Sequence, residues 1–298
     1  MIIRRSRQYI KPSIFSAFLR ISIREVVVKS KRHSASFVSL ENWVALEEDS
    51  GKIFLVEMVD DMTKIKGLGV FNPSETIGDT EIGDEIIIGQ KILTRLSPRL
   101  PELYKGMKRR AQTISAKDAG VLITRLGIGP GDVILEAGLG SGGLSLHLAR
   151  VLGNSGTLIT IETRDEHAEV GLENLSRAKQ CLPEFPNHHH ISGDISDVSS
   201  KIIDLAGQVD GIILDLPNHE PAINAVIDML RPGGRIACYC PVTSQVERAW
   251  EACEANNLHI EWAGELMERQ WGKASKGGIR PVNGPFGHTA FLLIAHKN

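Results

Sequence analysis

Residues 136–143 read Glu-Ala-Gly-Leu-Gly-Ser-Gly-Gly and stand between an apolar strand pattern, VILEA (133–137), and a helical one, LSLHLARVL (144–152). Glycines in such a loop let a ligand approach the backbone, because no side chain intervenes. The same loop constrains the rest of the chain, since strand–turn–helix units of this kind assemble into parallel sheets with crossover helices. TLITIE (157–162) reads as the next strand and residues 165–179 as a two-faced helix. HHHIS, the helical SSKIIDLA, the strand DGIILDL (210–216) and the helix EPAINAVIDML (220–230) follow. The strand GRIACYC (234–240) and the helix SQVERAWEACEAN (244–256) close the alternation. Two final strand patterns, IEWAGELM and HTAFLLIAH, have no helix between them and are expected to pair as a hairpin at one sheet edge.

Upstream the texture differs. From Phe37 to about Ser97 the short patterns FVSLE, WVALEE, KIFLVEM, EIIIG and KILTRL are punctuated by glycines, which argues a small β-rich domain. SPRLPELYKGM (97–107) reads as a connection. The expected division is therefore a basic extension over 1–36, a β-rich domain over 37–100 and a ligand-binding α/β domain over 101–298. The net charge of −2 hides an asymmetry, because residues 1–35 carry nine Lys/Arg against Glu25 alone. That arm is either a solvated extension or a phosphate-binding one. With 42% hydrophobic and 23% charged residues and no apolar run near the ~20 residues of a membrane span, no membrane association is expected and a cytoplasmic location is. Cys181, Cys238, Cys240 and Cys253 show no ligand spacing, and His188-His189-His190 has no spaced partners, so no metal is expected.

The loop admits two readings. Gly138, Gly140 and Gly143 satisfy G-x-G-x-x-G, as a nicotinamide dinucleotide site would. Three further features bear on the choice, and two of them favour S-adenosylmethionine. Glu136 lies two residues before the first glycine, suited to organising the loop and a cationic methionine end. Glu162 ends the second strand, where a carboxylate accepts from ribose hydroxyls in either class. Asp194 and Ile195 follow the third strand, suited to an adenine amino group and an adenine face. Asp215-Leu216-Pro217 after strand four and Leu230 to Gly234 before strand five complete the set, and Glu162, Asp194 and Asp215 fall at strand carboxyl ends, where open α/β sheets bind ligands. The reading is a class I S-adenosylmethionine methyltransferase: Rossmann-like, a seven-stranded sheet, with a small N-terminal β-rich domain.

Lys108-Arg109-Arg110-Ala111-Gln112-Thr113-Ile114, Lys117-Asp118-Ala119, the Glu-Ala-Gly-x-Gly-Ser-Gly loop, Leu214-Asp215-Leu216-Pro217 and Gly287-His288-Thr289-Ala290-Phe291 together resemble the tRNA adenine-58 N1-methyltransferases, over roughly residues 38–298. The resemblance implies a homotetrameric enzyme that methylates N1 of adenine 58 in the tRNA T-loop with S-adenosyl-L-methionine, with some archaeal relatives also acting on position 57. It implies that Ser141, Gly142, Gly143 and Leu144 line the methionine part, Glu162 the ribose, and Asp194 with Ile195 the adenine. Gln112 and Ile114 would close the pocket, and His167 would join it from the helix after Glu162. One departure stands out: Ser115-Ala116 replaces a Tyr-Pro pair common in relatives, which leaves Tyr239 as the remaining aromatic near the cleft.

In this reading Asp215 is the catalytic residue, accepting from the adenine amine and stabilising charge that develops on the ring. Lys105, Lys108, Arg109, Arg110, Arg269, Lys273, Lys276 and Arg280 are the candidate phosphate contacts, and Trp271 a stacking platform in a Gly-rich loop over 270–287. Two alternatives compete: a methyltransferase for a small molecule or protein carboxylate, and a non-catalytic tRNA-binding subunit.

Overall fold

A computed structural model describes residues 42–273, 277–282 and 288–298. The basic arm over 1–36, the FVSLE pattern, Lys276 and Gly287 lie outside the described residues. Strands β1 (Trp43–Glu48) and β2 (Ile53–Glu57) form an antiparallel pair. The short pair β3 (Thr63–Ile65) and β4 (Gly69–Phe71) and the helix α1 (Pro73–Ile77) follow. With β5 (Glu85–Ile88) and β6 (Lys91–Leu96) the first two strands make a four-stranded sheet in the order β2-β1-β6-β5. Val44, Leu46, Phe54, Val56, Phe71, Ile77 and Leu93 bury its inner face. The turn-like glycines of 63–78 conceal α1, which nevertheless carries the local signals of a helix start: the Asn72 side chain accepts from Glu75 N, and Pro73 sits where no N–H is needed.

The stretch expected to be a plain connection contains a helix, α2 (Leu100–Gly106). Pro101 is compatible with a first helical turn, and the Glu102 carboxylate accepts from Arg99 N at 3.0 Å. Leu103 and Met107 then pack with Leu139, Leu146 and Leu175, so α2 braces the glycine loop from below. Helix α3 (Ala116–Leu126) starts on the Ser115 side chain and stops at the left-handed Gly127.

The remaining helices cover the large sheet. Its strands are β7 (Val133–Ala137), β8 (Thr157–Glu162), β9 (Asn187–Ser192), β10 (Val209–Leu214), β11 (Leu230–Cys240) and β12 (Leu258–Glu265). Between them run α4 (Gly143–Leu152), α5 (Asp165–Cys181), α6 (Ile195–Ala206), α7 (Glu220–Val226) and α8 (Thr243–Ala255). A two-stranded hairpin, β13 (Trp271–Lys273) with β14 (Ile279–Pro281), precedes the final strand β15 (Phe291–Lys297). The sheet order is β12-β15-β11-β10-β7-β8-β9, parallel except for β15, which runs antiparallel to both neighbours. The expected edge pair is therefore present, with β15 inserted between β11 and β12. Where a Gly-rich loop is expected, Trp271 and Ile279 instead sit in paired strands, in keeping with the preference of aromatic and β-branched residues for extended backbone.

Strand order places the ligand-facing end. β7, β8 and β10 lie at the sheet centre with both faces covered, and Leu135, Leu158, Ile159, Ile212 and Ile213 are fully buried. Each contributes on the order of 2 kcal/mol of transfer free energy. Gly171 of α5 is the contact point under the loop, where an added Cβ would stand 2.7 Å from Leu139 Cγ and 2.8 Å from Gly140 O. Gly171→Ala is expected to destabilise by about 1–3 kcal/mol. By contrast Gly120→Ala, in the interior of α3 with open space at the Cβ, is expected to stabilise by about 0.5–1 kcal/mol. Urea unfolding of both variants checks the pair; equal effects would contradict the described packing.

Candidate functional site

The loop after β7 is tied on both sides. Leu139 N donates to Ile161 O at 2.9 Å, Gly138 N to Asp215 O at 3.3 Å, and Gly140 N to the Glu162 carboxylate at 2.8 Å. Gly140 has φ +54°, a left-handed conformation that glycine adopts without strain. Beneath the loop, buried Glu136 accepts from Ser145 Oγ at 2.6 Å.

Above it lies a cavity of about 670 Å³ along the carboxyl ends of the strands. Of the residues singled out in the sequence, Gln112, Ile114, Gly138, Gly140, Glu162, His167, Asp194, Ile195 and Asp215 line it. Glu136, Ser141, Gly143 and Leu144 line a smaller recess that shares Gln112, Gly138, Gly140 and Asp215 with the main cavity. Gly142 lines neither and forms the N-terminal cap of α4, against Gly171. The Ser141 hydroxyl turns toward the connector, accepting from Arg110 N and Ala111 N at 3.0 Å each.

Sheet order separates two ends. At one, beyond β8 and β9, stand Glu162, His167, Asp194 and Ile195. At the other, beyond β10 and β11, stand Asp215, Pro217, Tyr239, Pro241 and Thr289. The Asp194 carboxylate caps α6 through Ser196 N at 2.9 Å, while His167 Nδ1 is buried without a hydrogen-bond partner among the described residues. Thr289 and Arg164, also in the lining, carry no strand-end signature and were not singled out as pocket residues.

Three carboxyls in this cleft meet different surroundings. Burial alone would raise the Glu162 pKa, but N–H groups of Gly140 and Arg164 and the Arg164 guanidinium outweigh it and hold it below the usual carboxylate value. Among these donors the Arg164 side chain, Nε at 3.2 Å, is the exposed and exchangeable one. Glu136 is pushed up to about 8 by burial and by the Asp215 charge, against the opposing Ser145 hydrogen bond. Asp215 rises to about 6 through burial and the Glu162 charge, partly offset by Arg164. No described group donates a hydrogen bond to the Asp215 carboxylate, although the residue's own backbone is bonded to Ala137 and Gly138. A strand-ending role would spend the side chain on amides; here it is left facing the cavity.

One residue without any sequence signal holds the walls together. Asn174 of α5, buried, donates to Lys108 O at 2.8 Å and Ser141 O at 3.0 Å and accepts from Lys108 N at 3.0 Å. It thereby joins the connector, which supplies Gln112 and Ile114, to the glycine loop. Of the cations in the connector, Lys105 pairs with Glu47, Lys108 with Glu173, and Arg109 lies over the Tyr104 ring. Arg110 is exposed, as is Trp271 on β13 at 63%.

The residues present fit S-adenosylmethionine. A Cβ on Gly138 would stand 3.2 Å from Glu162 Oε2, so the glycine keeps the loop surface open beside an ionised carboxylate. The unpartnered His167 nitrogen and the apolar Ile195 side chain, 3% exposed, line the same cavity as that carboxylate. Among the described residues no cluster of His, Cys, Asp or Glu could hold a metal ion, and no helix is long and apolar enough to cross a membrane.

Residues 96–272 match the family model of the tRNA methyltransferase complex GCD14 subunit. A tRNA (adenine(57)-N(1)/adenine(58)-N(1))-methyltransferase of Methanocaldococcus jannaschii is 32% identical over 219 residues, covering 67% of this chain and 77% of that protein. A tRNA (adenine(58)-N(1))-methyltransferase of Thermus thermophilus is 30% identical over 218 residues, 73% and 79% of the two chains. Among solved structures, a SAM-dependent O-methyltransferase of Thermotoga maritima superposes with a TM-score of 0.70 at 27% identity, covering 87% of this chain and 94% of that one.

The raised pKa of Asp215 has a consequence for stability. Its folded value of about 6 lies above the unfolded ~3.9, so ionisation costs the folded state nothing below about pH 4, progressively more up to about pH 6, and a constant amount above. Asp215→Asn is therefore expected to be more stable than wild type by about 1–2 kcal/mol at pH 8, discounted for the residue's partial exposure, with the difference vanishing toward pH 4. Urea titrations at the two pH values measure it. A variant no more stable than wild type at pH 8 would contradict an undonated, desolvated carboxylate.

Proposed function

The chain belongs to the GCD14 family of tRNA methyltransferases, and from that premise we propose that it methylates N1 of adenine 58 in the tRNA T-loop with S-adenosyl-L-methionine. The observation that carries the reading is the Asp215 carboxylate, facing the cavity without a donor and one strand away from the glycine loop.

In this proposal Glu162 takes the ribose hydroxyls, exchanging its Arg164 side-chain contact for them. Asp194 and Ile195 take the adenine, His167 adds a polar contact, and the recess of Glu136, Gly138, Ser141, Gly143 and Leu144 takes the methionine end, with Gly142 fixing the helix that follows. Gln112 and Ile114 close the pocket. When bound, S-adenosylmethionine supplies an electrophilic methyl group on a sulfonium. Adenine N1 is hidden in the folded T-loop, so the base must leave its stack to enter the cavity. At the β10–β11 end, Asp215 accepts from the exocyclic amine, which orients the N1 lone pair and stabilises the positive charge that develops on the ring. It does so only as the carboxylate, so turnover is expected to rise with pH through about 6.

RNA affinity is assigned to phosphate contacts from Arg110 and Arg109, to Lys105 and Lys108 released from weak exposed ion pairs, and to stacking on Trp271. A homotetramer in the cytoplasm is part of the same proposal and rests on the family resemblance; sedimentation velocity tests the assembly.

Incubation with an unmodified tRNA transcript and labelled S-adenosylmethionine, followed by nucleoside mass spectrometry and mapping of the position, tests the reading. N1-methyladenosine in the T-loop is the expected product, at 58 alone or at 57 and 58. Label in no RNA despite tight cofactor binding would favour a small-molecule acceptor. Asp215→Ala is expected to lower turnover at least ~100-fold with cofactor affinity largely intact; near-normal turnover would remove Asp215 from the mechanism.

A further inference from the structure

At the end of the cavity away from Glu162, the pair of Lys117 with buried Asp118 gathers four parts of the chain. Asp118, in the first turn of α3, is 0% exposed. Its Oδ2 accepts from Ser115 Oγ at 2.9 Å, Thr289 Oγ1 at 2.6 Å and Tyr239 Oη at 3.4 Å, and its Oδ1 from Lys117 Nζ at 2.7 Å. Lys117 Nζ also donates to Thr289 Oγ1 at 2.7 Å and to Leu266 O at 2.9 Å. The start of α3, the end of β11 and the approach to β15 thus meet on a single carboxylate, and its partner Lys117 ties in the residue after β12. A buried polar network whose donors are all used is rigid, because any rotation leaves an unpaired donor in a low-dielectric setting.

Two members of this network, Tyr239 and Thr289, line the cavity beside Asp215. Their hydroxyl protons are both spoken for. Each points at Asp118, and burial together with the Asp118 charge pushes the tyrosine pKa well above its usual value, so the phenol keeps its proton. A hydroxyl that donates to one side presents lone pairs to the other. Thr289 gives one lone pair to Lys117 and retains one; Tyr239, which also meets the Thr289 side chain, keeps acceptor capacity on its second lone pair.

We propose that Lys117 and Asp118 are positioning residues that lock the Tyr239 and Thr289 hydroxyls as acceptors at the target end of the cavity, forming with Asp215 a wall of acceptors that selects a base edge bearing an amino group. This rests on the methyltransferase reading and extends it from the methyl donor to the choice of acceptor. Ser115 serves as a further donor to the same carboxylate and as the cap of α3.

The test uses the full chain with an unmodified tRNA transcript and three variants, Asp118→Asn, Thr289→Val and their combination. kcat, KM for tRNA and Kd for S-adenosylmethionine are measured for each, with thermal unfolding to check folding. Asp118→Asn and Thr289→Val are each expected to lower kcat by about 10-fold while Kd for S-adenosylmethionine stays within about 2-fold. Because Asp118 acts through the Thr289 hydroxyl, the double variant is expected to fall much less than the product of the two single effects. Unchanged kcat in both single variants, cofactor affinity that falls in step with kcat, or effects that multiply would each overturn the proposal. If Asp118→Asn does not fold, Thr289→Val decides alone, since it leaves the Lys117–Asp118 pair intact: full activity sinks the proposal, and a kcat defect at unchanged cofactor affinity supports it. A wild-type protein that binds S-adenosylmethionine but methylates no transcript would overturn the functional reading, and the acceptor wall with it.

Discussion

The hydrogen bond from Gly140 N to the buried carboxylate of Glu162 is the contact on which the site depends. A carboxylate taken out of water is costly unless donors meet it, and here backbone N–H groups from the loop after β7 and from the turn after β8 supply them. The result is a loop whose path is fixed from β8 on one side and from Asp215 O on the other. Everything above it follows from that anchoring: the open face at Gly138, the recess toward Leu144, and the tight seat of Gly171 below.

From the anchored loop the sheet order dictates a division of labour. β8 and β9 carry a hydrogen-bonded carboxylate, an apolar contact and an unpartnered imidazole nitrogen, which suit a nucleoside. The end beyond β10 and β11 holds a carboxylate with no donor among the described residues, together with hydroxyls from β11 and from the approach to β15 held by Asp118, which in the proposed function suit a base about to gain charge. The two acids differ in pKa direction for one reason: Glu162 is satisfied by amides and a guanidinium, whereas Asp215 is desolvated and faces Glu162's charge. The same backbone turn that places Asp215 also returns an acceptor, its carbonyl, to the loop.

What the sequence discloses and what it withholds separate along one physical line. Local signals were legible: a strand ending in Glu136 and glycines, acids at the ends of β8 and β10, Gly193-Asp194-Ile195 opening α6, and the closing strand pair. Each is a pattern contained within about ten residues, set by backbone geometry. The helices α1 and α2 and the hairpin β13–β14 were hidden by prolines and glycines that mark helix starts and strand ends as readily as turns. The place of Asn174, and what Lys117, Asp118 and Thr289 do beyond belonging to a family-like motif, were hidden for a deeper reason. The contacts that define them span long stretches of sequence, 171 residues for Thr289 with Asp118 and 66 for Asn174 with Lys108, so only the assembled fold makes them neighbours. Gly142 shows the converse, a glycine of the motif that the fold spends on starting α4 rather than on the cavity surface.

Calorimetric titration of S-adenosylmethionine into the wild-type protein and into Glu162→Gln, with a nicotinamide dinucleotide titrated in parallel, tests the anchored-loop account most directly. One S-adenosylmethionine site per chain is predicted in the wild type, weakened about 10–100-fold in the variant by the loss of charged hydrogen bonds, with no binding of the dinucleotide. Equal affinity in wild type and variant, or binding of the dinucleotide instead, would contradict it.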